Sequence, residues 1–305
     1  MRFPMNPKTK VIAGLATAAT FSAFLSFCVT SLALTQSAFG YNVSVAGDWG
    51  CNDNTKNTVN NIISKNPELV LGLGDYSYES TSDCWLAIVD PLGEKMKISI
   101  GNHDDISSSL LDQYVSHFDL PREYYSFNYQ NAHFVVLSTE QTSSSSQYDF
   151  VKSDLARASS NSSIDWIIVY MHKPLYTSPS HHSGESTMRD RYHPLFDRYG
   201  VDIVLYGHNH AYERSYPIKY DNVSASTPII TSNSTGSYND PEGQIFATVG
   251  TAGVSIHHYD RKSSYIVTQY EEYGFLDIDI VGNNLVAKFY SNNDGSVKDQ
   301  FTITK

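Results

Sequence analysis

VDIVLYGHNH, residues 201–210, stays apolar for the length of a strand, breaks at a glycine and then presents two histidines one residue apart. A short Val/Ile/Leu-rich run closed by glycine reads as a buried strand, here residues 202–205. The same layout recurs upstream. Residues 43–46 lead into Gly47-Asp48, residues 69–73 into Gly74-Asp75, residues 97–100 into Gly101-Asn102-His103-Asp104, and residues 166–170 through Met171 into His172. Residues 134–137 form a further buried run. Between these strands lie helix-like segments at 55–65, 107–118, 147–158 and 188–199, so the layout is α/β.

Beyond His210 the character changes. A Ser/Thr/Asn-rich loop at 222–240 gives way to strands at 244–249, 274–281 and 285–290, with Gly282-Asn283-Asn284 as a hairpin turn. This β-rich portion is expected to form a second sheet packed on the first. The Ser-rich patch 142–146 reads as a surface loop.

The 305 residues are 41% hydrophobic and 17% charged, which suits one large domain with a sizeable core. A formal net charge of −11 argues against a nucleic-acid partner, since that affinity comes from Lys and Arg neutralising phosphates. Any positive potential for a phosphate has to be local.

Residues 1–40 differ from the rest. Arg2, Lys8 and Lys10 precede an uncharged stretch from Val11 to Leu34, and Gln36-Ser37-Ala38-Phe39-Gly40 follows. This is the layout of a secretory signal cleaved near Gly40, with an uncleaved membrane anchor as the alternative. The expected product is secreted or extracytoplasmic, held at the cell surface only if the segment stays. Cys28 would leave with the signal, and Cys51 and Cys84 then either close one disulfide in an oxidising compartment or stay free and partly buried. Asn42, Asn161, Asn222 and Asn233 begin Asn-x-Ser/Thr sequons, which agree with export.

Open α/β sheets bind ligands outside the carboxyl ends of their strands, so polar groups scattered in sequence can converge there. The groups at these ends are Asp, Asn, His and Tyr, which supply oxygen and imidazole nitrogen but no thiolate. That set suits zinc, iron or manganese. It is too large for one tetrahedral site, and two metals are the economical reading.

Five blocks in sequence order, Gly47-Asp48-Trp49-Gly50, Gly74-Asp75-Tyr76-Ser77-Tyr78, Gly101-Asn102-His103-Asp104, Val169-Tyr170-Met171-His172 and Gly207-His208-Asn209-His210, resemble those of the purple acid phosphatases, members of the calcineurin-like metallophosphoesterases. Ala211-Tyr212-Glu213-Arg214 continues the likeness. The resemblance implies a sandwich of two mixed β-sheets flanked by helices, with residues 41–305 as one catalytic domain without the N-terminal β-sandwich of large plant members. It implies that Asp48, Tyr78 and His210 hold a ferric ion, that Asn102, His172 and His208 hold a divalent ion (iron, zinc or manganese), and that Asp75 bridges the two. His103 matches the family's substrate-facing histidine. His181 and His182 match two phosphate-contacting histidines of plant members, and Glu185 also has a counterpart there. Asp104 stands where many plant members carry Glu.

The implied activity is hydrolysis of small phosphomonoesters by a metal-bound hydroxide. The alternatives are a metallophosphodiesterase or nucleotidase with a zinc or manganese pair, and a non-catalytic surface binding protein on the same scaffold. Most metallophosphoesterases carry Asp-x-His in the first block; here Gly50 fills the histidine's place, and Tyr78 is positioned to supply the missing ligand as a charged oxygen. His117, His133 and His193 read as structural. His257-His258, after the loop Gly250-Thr251-Ala252-Gly253, stands between a structural role and a place at the site rim.

Overall fold

The computed structural model describes residues 40–305, so the expected leader or anchor lies outside the described residues except for Gly40. Among the described residues no helix is long and apolar enough to cross a membrane. The chain runs β1 (Tyr41–Ala46), α1 (Asp53–Lys65), β2 (Leu69–Gly72), α2 (Asp83–Val89), β3 (Met96–Ile98), α3 (Ser108–His117), β4 (Tyr125–Tyr129), β5 (Ala132–Val136), α4 (Ser145–Ser159), β6 (Trp166–Tyr170), α5 (Ser186–Tyr199) and β7 (Ile203–Tyr206). It continues through β8 (Tyr212–Ser215), the short β9 (Ile218–Lys219), β10 (Ile229–Ile230) and β11 (Ser237–Asn239), then β12 (Ile245–Val249), β13 (Ile266–Tyr270), β14 (Gly274–Val281), β15 (Asn284–Ser291) and β16 (Val297–Thr304).

Two seven-stranded sheets result, ordered β11-β16-β15-β14-β1-β2-β3 and β13-β8-β12-β7-β6-β5-β4. In the first, β1, β2 and β3 are parallel and β14 joins β1 antiparallel. In the second, β5, β6 and β7 are parallel, with antiparallel β4 and β8 further out. Both sheets are mixed. The C-terminal strands therefore do not build a second sheet of their own, as the sequence suggested. The edge of β1 away from β2 is open, and β14–β16 complete the first sheet there, while the second sheet comes from the middle of the chain.

Side-chain alternation explains the layering. Val43, Val45, Leu71, Leu276 and Ile278 of the first sheet meet Phe134, Val136, Ile168 and Leu205 of the second in a shared core. The opposite face of the second sheet, with Val135, Val169 and Val204, packs on Val151 and Leu155 of α4 and Tyr192 and Phe196 of α5. The outer face of the first, with Ala46, Val70 and Ile98, packs on Val59 and Ile62 of α1, Trp85 of α2 and Tyr114 of α3. Strands buried on both faces read as continuous apolar runs, which is why these were visible in the sequence.

A buried ion pair bolts the two sheets together. Arg214 on β8 donates through Nε and Nη2 to Asp299 on β16 at 2.6 and 2.8 Å, and Tyr212 Oη donates to the same carboxylate at 2.7 Å. The end of the Ala211–Arg214 block is thus architectural.

The Ser-rich patch is only partly loop. Ser145 and Ser146 open α4, and the Ser144 side chain accepts from the Gln147 N–H at 3.2 Å, capping the helix. The expected loop at 222–240 carries β10 and β11. Asn161, Asn222 and Asn233 are exposed, whereas the Asn42 amide is engaged with Lys65 O and Asp277.

Candidate metal centre

The loops after β1 and β2 are laced together by backbone hydrogen bonds from Asp48, Trp49 and Gly50 N–H to Gly74, Asp75 and Tyr76 carbonyls, at 3.1, 2.9 and 2.7 Å. On the other sheet, Gly207 N–H donates to His172 O at 2.9 Å. The His208 N–H, donating to Asp48 Oδ2 at 2.8 Å, joins the two pairs, so the ends of β1, β2, β6 and β7 meet in one place. Close approach depends on glycine: a Cβ on Gly207 would lie 2.6 Å from Asp48 Oδ2, and one on Gly101 would collide with Asp75 Oδ1.

Four of the candidate ligands, Asp48, Asp75, Tyr78 and His208, have positive φ of 60, 54, 56 and 70°. Left-handed backbone costs a non-glycine residue roughly 1–2 kcal/mol. Such strain gathers at functional sites, where surrounding structure holds it. Asp104 is part of that support. Buried beneath the site, its carboxylate accepts from the N–H groups of Asp75, Tyr76 and Gly101 at 2.8, 2.9 and 2.8 Å. Burial and the neighbouring Asp75 charge push its pKa well up, against those donors.

The donors form two groups that share one carboxylate. Tyr78 Oη lies 3.3 Å from Asp48 Oδ1 and 3.2 Å from His210 Nε2, and His210 Nε2 lies 3.4 Å from Asp48 Oδ1. His172 Nε2 lies 3.1 Å from His208 Nδ1. Asp75 Oδ2 is 3.3 Å from Tyr78 Oη and 3.2 Å from His172 Nε2, so it stands between the groups. Single donor atoms of Asp75, His172 and His208 all lie within 4.8 Å of one another. The N–H of His103, the residue after Asn102, donates to Asp75 Oδ1 at 2.8 Å, and Asn102 Oδ1 is buried with no hydrogen-bond partner among the described residues.

This chemistry fits bound cations. His172 Nδ1 donates to Leu73 O at 2.8 Å and His210 Nδ1 to Ser255 O at 2.8 Å, which turns both Nε2 lone pairs toward the carboxylates. Acceptors then face acceptors unless a proton or a cation lies between them. Burial opposes a charge on His172, but Asp75 outweighs it and raises the pKa to about 9; burial and His172 together lower His208 to about 2. Burial, followed by the Asp48 and Asp75 charges, pushes the Tyr78 phenol far up. A phenolate there needs a cation, which favours the deprotonated form by direct bonding.

The remaining predicted residues form a canopy. His103 is exposed, with its ring 4.4 Å from that of Tyr78. His182 stacks on His208 at 3.9 Å, and His181 lies 4.5 Å from His182. Glu185 is set apart at the start of α5, its N–H on Pro174 O at 2.7 Å. His133 and His193 are buried in networks with Asp154 and with Tyr176 and Gln244, as structural residues.

Asn209 escaped the sequence reading, and His257, which that reading left between a structural role and the site rim, stands at the rim. Asn209 clamps the canopy loop, and His257 stacks on His210 at 3.8 Å while His258 turns away to Glu271. No periodicity marks either; Asn209 was visible only as the spacer between two histidines.

A sandwich of two mixed sheets flanked by helices, with carboxylates, imidazoles and a phenol gathered where the parallel strands end, defines a metallophosphoesterase. A family model described as calcineurin-like phosphoesterase matches residues 41–212, more than half of the chain, and the chain belongs to that family. Its curated relatives include purple acid phosphatase 15 of Arabidopsis thaliana, 29% identical over 274 residues that cover 73% of this chain and 48% of the relative. The probable inactive purple acid phosphatase 1 of the same plant is 28% identical over 286 residues, covering 82% of this chain and 45% of the relative. The solved structure of a purple acid phosphatase from yellow lupin (Lupinus luteus) seeds is similar with a TM-score of 0.76 at 25% identity, over 88% of this chain and 54% of that one. The chain spans about half the length of the curated relatives it matches.

Proposed function

We propose that residues 41–305 form the catalytic domain of an exported acid phosphatase that hydrolyses small phosphomonoesters. The observation that carries this reading is the placement of Asp75 Oδ2 between a Tyr78/His210/Asp48 group and a His172/His208 group. One carboxylate oxygen shared by two donor sets is what a two-metal site requires. Asp48, Tyr78 and His210 would hold a ferric ion, which a phenolate suits, and Asn102, His172 and His208 a divalent iron, zinc or manganese. When bound, the pair supplies Lewis acidity toward the phosphoryl oxygens and lowers the pKa of water.

The chain's own residues do the rest. Buried Asp48 and Asp75 with the phenolate balance most of the positive charge, leaving room for a phosphate dianion on an acidic protein. Asp104 holds the Asp75 turn. His103 and the His181/His182 pair face the entering ester, donating to its oxygens. As the ester P–O bond breaks, water supplies the new phosphate oxygen and an imidazolium gives its proton to the departing alkoxide. General acid catalysis of this kind typically contributes on the order of 10²–10⁴-fold. Burial lowers His182, which eases that transfer. Export is supported by the layout of residues 1–40 and by the Cys51–Cys84 disulfide.

The test combines metal content, an absorption spectrum and aryl phosphate hydrolysis. Two metals per chain, a visible phenolate-to-iron band that Tyr78→Phe removes, and turnover abolished by His172→Ala are expected. Colourless, fully active protein with two zinc ions would instead favour the phosphodiesterase or nucleotidase reading. Equal turnover by wild type and His172→Ala would overturn the site.

A further inference from the structure

His257 is bound to His210 in both directions. The His257 N–H donates to His210 O at 2.9 Å, and the His210 N–H donates to His257 Nδ1 at 3.2 Å. A backbone N–H can only donate, so Nδ1 is the lone-pair nitrogen and a neutral ring carries its proton on Nε2. His257 therefore cannot offer Nε2 to a metal while it holds this bond; it offers an N–H.

That ring has company. One nitrogen from each of His181, His182 and His257 lies within 4.8 Å of the others, and the ring of His257 sits 4.6 Å from His181 and 5.5 Å from His182. The loops carrying them are stitched by Asp260 N–H to Pro179 O at 2.9 Å and Ser263 N–H to Ser178 Oγ at 3.1 Å. His257 remains partly open to solvent, whereas its neighbour His258 is spent on Glu271 at 2.6 Å. The cluster lies one ring's thickness from His210, hence beside the candidate metals.

We propose that His257 completes, with His181 and His182, a three-imidazole cradle in which His257 Nε2–H donates to an oxygen of a tetrahedral oxyanion, the phosphoryl group of the substrate or phosphate product. This rests on the phosphatase reading for the ligand's identity and adds a substrate-contacting residue to it. A third metal on the same three histidines is the competing occupant, disfavoured by the fixed tautomer.

Two substitutions separate the roles. His257→Asn keeps an acceptor for the His210 N–H and removes the distal donor; His257→Gln keeps a distal donor. Inorganic phosphate is titrated calorimetrically into the metal-loaded full chain, with metal content measured in parallel. His257→Asn is expected to weaken phosphate binding about 10-fold, the loss of one hydrogen bond to a charged group, with two metals retained. His257→Gln should stay within about 3-fold of wild type, and KM should move with the binding constant while kcat changes little. Unchanged binding by the Asn variant, or weakening by Gln alone, overturns the cradle. So does a third metal that the wild type binds and the Asn variant loses, or a wild type that binds no phosphate. A wild type that binds phosphate through His257 yet hydrolyses no ester would overturn the phosphatase reading and leave the cradle standing.

Discussion

His172 Nε2 lies 3.2 Å from Asp75 Oδ2 while the ring's other nitrogen is committed to Leu73 O. Without a metal, only a proton can sit in that gap, and the raised pKa of about 9 is its signature, with burial opposing and Asp75 prevailing. A pKa raised above an unfolded value near 6.5 contributes stability below that value, and the contribution is lost as pH climbs through 9. Chelator-treated protein should melt at progressively lower temperature from pH 6.5 to 9. Metal-loaded protein should not follow it, because the cation has displaced the proton. Parallel melting profiles for the two forms would show that no metal enters this gap.

Asn209 shows how the canopy is tied to the ligand turn. Its Oδ1 accepts from Ser180 Oγ–H at 2.9 Å and His182 N–H at 3.2 Å, and its Nδ2 donates to Thr177 Oγ1 at 2.8 Å and His182 O at 3.3 Å. Asn209→Ala removes these four hydrogen bonds to partly buried groups of Thr177, Ser180 and His182, each worth about 0.5–1.5 kcal/mol. The loop should loosen while the donor atoms beneath stay in place. Steady-state kinetics should show KM raised about 10-fold or more with metal content unchanged; loss of metal would mean that Asn209 orders the ligands instead.

The legibility of this molecule divides along a physical line. Parallel strands buried on both faces announce themselves, and each predicted donor follows one of them, so Asp48, Asp75, His172, His208 and His210 could be named from sequence. Strands at or near the sheet edges do not: β4 reads Tyr-Ser-Phe-Asn-Tyr and is half-buried, and β16 opens with Val-Lys-Asp-Gln. Sheet membership of the C-terminal strands depends on which edge of β1 is free, a long-range fact. The positive φ of Tyr78 and the inward turn of His257 beside an outward His258 are set by loop packing that leaves no periodic trace.

Cys51 and Cys84 form a disulfide with Cα atoms 5.8 Å apart. Cys51 lies just after the Asp48 loop and Cys84 in α2, just after Tyr78, so the bridge encloses the segment that carries Asp75 and Tyr78. Its sequence separation of 33 residues predicts about 3–4 kcal/mol of stability from restriction of the unfolded chain. The Cys51→Ser/Cys84→Ser double variant should lose that amount in denaturant melts. Reductant should destabilise the wild type equally and leave the double variant unmoved. Identical midpoints with and without reductant would mean that the bridge is absent in solution.

A buried acid far from the site offers a pH test that metals do not complicate. Asp277 on β14 accepts from Ser44 Oγ–H at 2.8 Å and Asn42 Nδ2–H at 3.3 Å, and burial, with the Asp279 charge adding, raises its pKa to about 6. A carboxyl whose folded pKa exceeds its unfolded value near 3.8 binds its proton more tightly in the folded state. Stability therefore falls as pH rises through about 4 to 6 and stays lower above, by at most about 3 kcal/mol. Asp277→Asn removes the charge and keeps an acceptor for Ser44, while Asn42 Oδ1, buried without a partner among the described residues, can accept from the new amide. The variant should be more stable than wild type at pH 7.5, lose that advantage near pH 4, and keep normal phosphate hydrolysis. Equal melting temperatures at pH 7.5, or a gain confined to pH 4, would show that Asp277 is as well solvated in the fold as in the unfolded chain.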